Sequence, residues 1–252
     1  MELTGVIGGL LTQAGGGLAD MILPHQCVLC RRFAETTGLC ASCWESLSPI
    51  AAPICERCGL PLGHTLADPL CAACWVAPPG LAAIRGCFHY AGSARDLVLA
   101  FKHGDGLQLS PFLARLMARL FTSLAGDDTL VVPVPLHRHR YFRRRYNQAA
   151  ELARHLCAGD GPGIFAPHGL IRHRATRSQG GLSRRQRLRN VAGAFAVPPA
   201  AQAQLAGRPV ILIDDVMTTG ATLTEAAGKL RDAGSGSVSA LVLARVTRPQ
   251  QA

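Results

Sequence analysis

The sequence of 252 residues is poor in lysine and aromatic residues and lacks a long uninterrupted apolar segment. Lys102 and Lys229 are its two lysines, and aromatic residues make up 5% of the chain. Residues 1–24 are largely apolar, but Glu2, Asp20 and several glycines interrupt them, and no basic residue precedes the apolar run. These features disfavour both a transmembrane segment and an export signal. We therefore expect a short helix over residues 1–24 and a cytoplasmic protein.

Acidic side chains are almost missing from residues 137–189. Thirteen arginines against Glu151 and Asp160 give this segment a formal charge of +11, so it accounts for nearly all of the net +10 of the chain. Such a run can be a solvated surface. Arginine forks, however, match phosphate oxygens, and clustering concentrates positive potential where an anion would bind. We favour anion binding and leave open whether the anion is a nucleotide or a nucleic acid.

Eight of the ten cysteines lie in the first third of the chain as four Cys-x-x-Cys pairs. Nine residues separate the first two pairs and twelve separate the last two, which is enough for a hairpin that brings each second pair back to the first. Trp44 and Trp75 each follow the second cysteine of a closing pair, as in a duplicated ribbon. We predict two structural zinc sites, because so small a module lacks the core to fold without cross-links. The ligands would be Cys27, Cys30, Cys40, Cys43, Cys55, Cys58, Cys71 and Cys74.

Two other interpretations of the cysteines remain open, namely structural cysteines without metal and a single zinc beside a degenerate ribbon. His64 is a possible substitute ligand, although a loop histidine is more often solvated. The stretch Pro78-Pro79-Gly80 is typical of a linker. We therefore predict a helix over residues 1–24, a double zinc ribbon over 25–79 and a larger domain over 80–252.

The larger domain has the pattern of a parallel α/β sheet covered on both faces, because short apolar strands alternate with helical periodicity. Strands are predicted at residues 86–90, 129–135, 169–171, 208–213 and 237–244. Helices are predicted at residues 93–102, 111–124, 147–157 and 221–233, with Ser93 as the N-cap of the first.

The most informative segment is residues 210–222, in which four aliphatic residues precede two aspartates and a threonine-rich turn. Ligands of open α/β sheets bind beyond the carboxyl ends of strands, where a following helix presents unpaired N–H groups. Gly220 permits close backbone approach, and the hydroxyls of the loop suit a monophosphate. Asp214 and Asp215, predicted at the end of the strand, can accept hydrogen bonds from vicinal ribose hydroxyls. The pattern therefore predicts a 5′-phosphorylated ribose as ligand.

Other phosphate-binding motifs do not match this segment. No Gly-Lys-Ser/Thr follows the loop, and the glycines of a dinucleotide-binding fingerprint are absent. The remaining alternative is an ordinary strand-to-helix turn with a solvated acidic pair.

In residues 211–222 the chain closely resembles the type I phosphoribosyltransferases. The resemblance implies that Asp214 and Asp215 hold the ribose 2′ and 3′ hydroxyls as the catalytic pair. It also implies that the 5′-phosphate of phosphoribosyl pyrophosphate is held by Val216, Met217, Thr218, Thr219, Gly220, Ala221 and Thr222.

Further features narrow the resemblance to the ComF/GntX family over nearly the whole chain, namely the cysteine ribbons, Asn147-Gln148, and residues 174–183 with Arg187, Asn190 and Phe195. The family often has Arg-Gly-Phe-Asn-Gln where this chain has Arg144-Arg145-Tyr146-Asn147-Gln148. A position that tolerates arginine need not adopt a positive φ, so we assume no glycine-specific turn there.

The resemblance also assigns uses to the arginine-rich segment. A loop over residues 136–140 would bind pyrophosphate, with Arg138 and Arg140 as ligands. A longer flexible loop over about residues 173–190 would close over the site, with Arg174, Gln179 and Arg187 as the candidate residues.

Two functions follow from the resemblance. The first is transfer of the phosphoribosyl group, with Mg²⁺ on the pyrophosphate and ribose hydroxyls, to an unknown nitrogen acceptor. The second is a non-catalytic protein of natural transformation that senses phosphoribosyl pyrophosphate or handles single-stranded DNA during uptake, with competence proteins as partners. Tyr141, Phe142 and Tyr146 are interleaved with the arginines, but stacking platforms are sparse, so phosphate contacts would dominate DNA binding.

Overall fold

The structure is a computed structural model that describes residues 25–34, 38–64, 67–102, 106–137, 145–159, 161–176 and 183–247. The helix expected over residues 1–24 lies outside this part. The chain divides into two compact units, one up to Leu47 and one from Ser48 onward. None of the described helices is both long and apolar enough to cross a membrane.

The unit from Ser48 onward contains a five-stranded, entirely parallel sheet with the strand order β1-β7-β6-β2-β3. Its strands are β1 (Ile84–His89), β2 (Leu130–Pro133), β3 (Ile164–Phe165), β6 (Val210–Met217) and β7 (Val238–Arg245). A separate antiparallel pair joins β4 (Ile171–Arg172) to β5 (Phe195–Ala196). The predicted fold class, a parallel-sheet α/β domain preceded by cysteine ribbons, is confirmed.

Helices cover both faces of the sheet. One face packs against α3 (Gly92–Lys102), α4 (Ser110–Leu124) and α5 (Gln148–Leu156), with a short 3₁₀ helix, Gly106–Leu109, between the first two. On the other face, Leu212 and Val242 join a buried cluster with side chains of α7 (Pro199–Leu205) and α8 (Ala221–Asp232). The central strands are buried on both sides, which explains why they are continuous apolar runs rather than alternating ones.

Most predicted elements occur within one to four residues of their predicted bounds, and α3 begins at Gly92, one residue before the predicted Ser93 cap. The strand predicted at residues 169–171 occurs as β4, but it lies outside the main parallel sheet. Ile171 belongs to the separate antiparallel pair, and the fifth strand of the main sheet is the two-residue β3. A strand of two residues has too little apolar periodicity to be recognised in a sequence.

The strand β6 is longer than predicted. It runs through the acidic pair to Met217, so Asp214 and Asp215 lie within the strand and not at its end. Pairing with β7 continues to Met217, whereas pairing with β2 stops at Ile213. Among the described strands, the last four residues of β6 therefore have a neighbour on one side only.

The second cysteine ribbon belongs to the same compact unit as the sheet. Residues 48–50 run antiparallel to the edge strand β1, where the Ile50 N–H donates to the Cys87 carbonyl at 2.9 Å. The Ile84 N–H donates to the Arg57 carbonyl at 2.8 Å. These bonds occupy backbone groups that the edge of a sheet would otherwise leave unpaired.

Candidate phosphoribosyl pyrophosphate site and zinc centres

The candidate site lies where the connections of the sheet diverge. From β2 the chain continues to β3 on one side, and from β6 it continues to β7 on the other. Such a switch point leaves a crevice beyond the carboxyl ends of the two strands, which is where open α/β sheets bind ligands. The Val134 N–H donates to the Ile213 carbonyl at 2.9 Å, and this bond closes the ladder immediately before the acidic pair.

The two aspartates extend to opposite sides of β6, because side chains alternate along a strand. Asp215 is 9% exposed. Its backbone N–H donates to Asp214 Oδ1 at 2.9 Å. Burial and the adjacent charge of Asp215 raise the pKa of Asp214 to about 7, against the lowering effects of that hydrogen bond and of the charges of Lys102 and Arg172. The pair thus places two adjacent carboxyl groups in a poorly hydrated place, where ionisation of both is costly.

Two cations that the sequence reasoning missed lie beside this pair. Lys102, the last residue of α3, places its Nζ 3.2 Å from Asp215 Oδ2. Arg172, on β4, acts electrostatically on Asp214, and its guanidinium carbon lies 5.2 Å from the centre of the Phe195 ring. No local motif marks either residue. The scarcity of lysine was the one available signal for Lys102.

The phosphate loop joins β6 to α8 through Gly220, which has φ 78° and is the N-cap residue of the helix. A Cβ at this position would meet nothing nearer than Met217 Sδ at 3.6 Å, so a side chain is disfavoured by the backbone conformation and not by crowding. Thr219 Oγ1 is buried without a hydrogen-bond partner among the described residues. A buried hydroxyl without a partner, next to the N-terminus of a helix, fits a phosphate group.

The structure describes some of the predicted pyrophosphate and loop residues and not others. Arg138, Arg140 and Gln179 lie outside the described residues. Arg174 donates to the backbone carbonyls of Asn190 and Ala192, the first at 3.1 Å. In the structure, Arg174 therefore links its own segment to the C-terminal end of the helix at residues 184–191.

Part of the predicted flexible loop forms a helix, and its closure over the site stays a prediction. Helix α6 (Arg184–Val191) contains Arg187 and begins with a capping box between Ser183 and Gln186. Ser183 Oγ accepts the Gln186 N–H, and Gln186 Oε1 accepts the Ser183 N–H. The capping sequence Ser-x-x-Gln is itself a sequence signal for the start of a helix.

The backbone at Arg145, where no glycine-specific turn was assumed, is left-handed. Arg145 has φ 67°, in the left-handed region that favours glycine. The residues that follow explain why the backbone stays there. The Tyr146 hydroxyl donates to the Phe101 carbonyl, and Asn147 caps α5 by accepting the Ala149 N–H at 3.1 Å. These contacts hold the chain directly after the left-handed residue.

The first cysteine cluster lies in the unit up to Leu47 and consists of Cys27, Cys30, Cys40 and Cys43. The four sulfurs lie within 4.8 Å of one another. Cys30 and Cys40 Sγ are 3.5 Å apart, close to the roughly 3.8 Å expected for thiolates on one tetrahedral zinc. A hydrogen bond with Ser42 is the main cause that lowers the pKa of Cys40 to about 6, and burial raises that of Cys43 to about 12.

The second cluster has the same construction with Cys55, Cys58, Cys71 and Cys74. Cys58 and Cys71 Sγ are 3.7 Å apart. Equivalent backbone bonds recur in both ribbons. The first cysteine N–H bonds to a carbonyl five residues later, from Cys27 to Arg32 and from Cys55 to Leu60.

The closing pairs also match. Each lies on a short helix, α1 (Ala41–Glu45) or α2 (Ala72–Val76), that starts after a cysteine. The two sets of four sulfurs fit structural zinc, and they do so with cysteine alone; His64 belongs to neither.

Comparison with known proteins agrees with the assignment of two zinc ribbons. A double zinc ribbon domain matches residues 18–76. The DNA utilization protein YhgH of Salmonella typhi is 32% identical over 238 residues, which cover 89% of this chain and 99% of the relative. The chain belongs to the ComF/GntX family. Competence protein F of Haemophilus influenzae, another relative, is 30% identical over 228 residues, which cover 87% of this chain and 96% of that protein.

Solved structures align at lower similarity. A hypoxanthine phosphoribosyltransferase from Staphylococcus aureus aligns with a TM-score of 0.35 and 15% sequence identity. The alignment covers 57% of this chain and 66% of that one.

Proposed function

We propose that this member of the ComF/GntX family binds phosphoribosyl pyrophosphate with Mg²⁺ in the crevice between β2 and β6 and transfers its phosphoribosyl group to a nitrogen acceptor. The observation that carries the proposal is the acidic pair of Asp214 and Asp215 at the switch point, followed directly by the glycine-capped phosphate loop. A ligand that joins vicinal hydroxyls to a 5′-phosphate complements this arrangement in both shape and charge. We expect a cytoplasmic protein, because eight ligating thiols require a reducing compartment.

Different residues of the site would bind the phosphate and the ribose of the ligand, according to their charge. Thr219 and the N–H groups at the start of α8 would hold the 5′-phosphate, with the positive end of the helix behind them. Asp214 and Asp215 would accept hydrogen bonds from the ribose hydroxyls. In that position their negative charge also stabilises positive charge that develops at C1′ when the bond to pyrophosphate breaks.

The departing pyrophosphate needs positive charge on the opposite side of the ribose. The arginines of residues 138–145 follow β2 in the sequence, and Arg138 and Arg140 are our proposed ligands for the pyrophosphate. Magnesium, when bound with the ligand, would neutralise part of the pyrophosphate charge. The acceptor nitrogen would form its bond to C1′ as the bond from C1′ to the pyrophosphate oxygen breaks, and the acceptor proton would pass to water or phosphate.

Binding is tested by thermal unfolding with and without magnesium phosphoribosyl pyrophosphate. A ligand at about 100 times its Kd adds about 2.7 kcal/mol to the free energy of unfolding. We expect this stabilisation in the natural protein and its loss in Asp214→Asn and Asp215→Asn. Asp232→Asn is the matched control, because Asp232 is an exposed carboxylate on α8 that pairs with Lys229. Equal stabilisation of all four proteins would contradict the site.

Transfer is tested separately from binding. Pyrophosphate release is measured with a panel of nucleobases, ammonia and glutamine as acceptors. Release that depends on one acceptor, and that is lost in Asp215→Asn, supports the enzyme. Tight binding without acceptor-dependent release of pyrophosphate would contradict transfer. The protein would then bind the ligand at this site without catalysing a reaction.

A second function is favoured by the surface of the first ribbon and by the names of the relatives, which refer to competence and DNA utilization. Phe33 is 68% exposed and Trp44 is 53% exposed. Both line an open groove of about 810 Å³ together with Arg32. Exposed aromatic rings beside a cation are the elements on which single-stranded nucleic acid stacks. We propose single-stranded DNA as the occupant of this groove.

The groove is tested with a fluorescent oligonucleotide at two salt concentrations. Loss of stacking costs about 1–3 kcal/mol per base, so Phe33→Ala and Trp44→Ala are each expected to weaken binding by about 5- to 150-fold. Trp75→Ala is the matched control, because Trp75 occupies the equivalent position of the second ribbon and is 62% exposed. If Trp75→Ala has the same effect as Trp44→Ala, the groove is not the binding surface.

A further inference from the structure

Lys102 lies beside the acidic pair and forms an ion pair with Asp215. Its Nζ lies 3.2 Å from Asp215 Oδ2, and the two side chains are 24% and 12% exposed. Removing both charges from water costs free energy, and the attraction between them must offset this cost for the partly buried pair to form.

The backbone of Lys102 is fixed in this position by the segment that follows the arginines. The preceding carbonyl, that of Phe101, accepts hydrogen bonds from the Tyr146 hydroxyl and from Gln148 Nε2, the latter at 3.3 Å. In the same segment Asn147 Nδ2 donates to the Val134 carbonyl at 3.2 Å, just beyond β2. The end of α3 is thus tied to the end of β2 on one side of the crevice, and its lysine is paired with β6 on the other.

Charge and donor count indicate what this arrangement does. Among the described residues, Lys102 and Arg172 are the cations that act on Asp214. The ammonium of Lys102 has three N–H donors, and its pair with Asp215 uses one. No other described residue pairs with this ammonium, so its other donors can serve an anion that lies next to the ribose hydroxyls. In phosphoribosyl pyrophosphate, that anion is the pyrophosphate on C1′, the carbon bonded to the one that bears the 2′ hydroxyl.

We propose that Lys102 bridges Asp215 to a pyrophosphate oxygen of the bound ligand and so positions the leaving group against the ribose. This role rests on the proposed function of the same site. It assigns Lys102 to the pyrophosphate end of the ligand and leaves the 5′-phosphate to the loop before α8.

The sequence permits a direct test, because Lys102 and Lys229 are its two lysines. The folded protein is treated briefly with an amine-acetylating reagent, and the extent of labelling at each lysine is read by mass spectrometry. Magnesium phosphoribosyl pyrophosphate and magnesium pyrophosphate are each expected to slow labelling of Lys102 at least fivefold. Ribose 5-phosphate should slow it less than twofold, and labelling of Lys229 should not change with any of the three.

Variants separate a role in binding from a role in stability. Lys102→Met should weaken binding of phosphoribosyl pyrophosphate at least tenfold and binding of ribose 5-phosphate less than threefold, as measured by thermal shift. Lys102→Arg should restore most of the difference, since a guanidinium also pairs with both groups. Lys229→Met is the matched control, with an exposed lysine that pairs with Asp232.

Each other outcome overturns the proposal in a recognisable way. If phosphoribosyl pyrophosphate stabilises the protein but does not protect Lys102, the proposed function stands and the role of Lys102 is wrong. If Lys102→Met weakens both ligands equally, Lys102 supports the site without contacting pyrophosphate. If no phosphoribosyl ligand stabilises the natural protein, both proposals fail together.

Discussion

The guanidinium of Arg245, at the end of β7, donates to the carbonyl of the zinc-cluster residue Cys58, and its Nη2 lies 3.8 Å from Cys58 Sγ. Arg245 is 8% exposed, and no carboxylate in the described part of the chain forms an ion pair with it. Four thiolates on one zinc carry a net charge of about −2, which makes the metallated cluster the counter-ion of this buried cation. The adjacent strand residue is Met217, in the β6 segment of the candidate site.

Replacement of Arg245 by Met should therefore loosen the second zinc. A buried carbonyl loses its donor, which costs about 1–3 kcal/mol, and the cluster loses its counter-charge. We expect faster release of one zinc per chain to a chromogenic chelator and a lower unfolding midpoint. Arg95→Met is the control, because Arg95 is an exposed arginine whose pair with Asp96 is worth little. Unchanged release kinetics in Arg245→Met would contradict the coupling.

The two zinc clusters should differ in what their loss does to the sheet. Cys58→Ser removes a ligand from the cluster in the unit of the sheet, whereas Cys30→Ser acts in the other unit. We expect Cys58→Ser to lower the stability of the sheet unit by at least about 3 kcal/mol, which shifts its unfolding midpoint by roughly 6–12 °C. Calorimetry and zinc analysis measure both effects. A similar loss in Cys30→Ser would show that the two clusters are not independent.

Arg145→Gly should stabilise the protein. The left-handed conformation at φ 67° costs an L side chain about 1–2 kcal/mol, and glycine avoids this cost. The greater freedom of glycine in the unfolded chain offsets part of the gain, so the expected net effect is about 0.5–1 kcal/mol in urea unfolding. Arg185→Gly, in the exposed first turn of α6, should have the opposite sign. A destabilising Arg145→Gly would contradict the assigned backbone.

Asp214 should make the unliganded protein less stable as the pH rises. Its pKa in the folded state is raised to about 7, above the value of about 4 in an unfolded chain, so the folded state binds the extra proton between these values. Stability from this group is complete below about pH 4 and is lost as the pH rises through 7. Asp214→Asn removes this loss, and its unfolding free energy relative to the natural protein should be higher at pH 8 than at pH 5.

The measurement is urea unfolding at the two pH values, with Asp96→Asn as the exposed control. A relative stability of Asp214→Asn that does not change between pH 5 and pH 8 would contradict the raised pKa. A variant that is more stable but no longer responds to the ligand would identify Asp214 as a residue kept for function at the expense of stability.

Features that depend on neighbouring residues in the chain could be predicted from the sequence. Asp214, Asp215 and the phosphate loop lie within nine consecutive residues, and each Cys-x-x-Cys pair lies within one turn. Their chemistry is local, so spacing alone indicates it. The duplication of the ribbons followed in the same way from Trp44 and Trp75.

Features that depend on residues distant in the chain could not. Lys102 reaches Asp215 across 113 positions, and Arg245 reaches Cys58 across 187. A two-residue strand such as β3 has no pattern of its own and forms because β2 offers it an edge. The left-handed Arg145 is held by contacts of Tyr146 and Asn147 that outweigh its own preference.

The sequence alone determined the family, the parallel α/β class and the acidic pair with its loop, because local motifs and apolar periodicity are written in consecutive residues. The tertiary structure decided that the second ribbon belongs to the unit of the sheet, that β6 continues through the aspartates, and that Lys102 is the partner of Asp215. These are consequences of burial and hydrogen bonding between segments far apart in the chain. Their free energies depend on the packed arrangement and not on any single stretch of it.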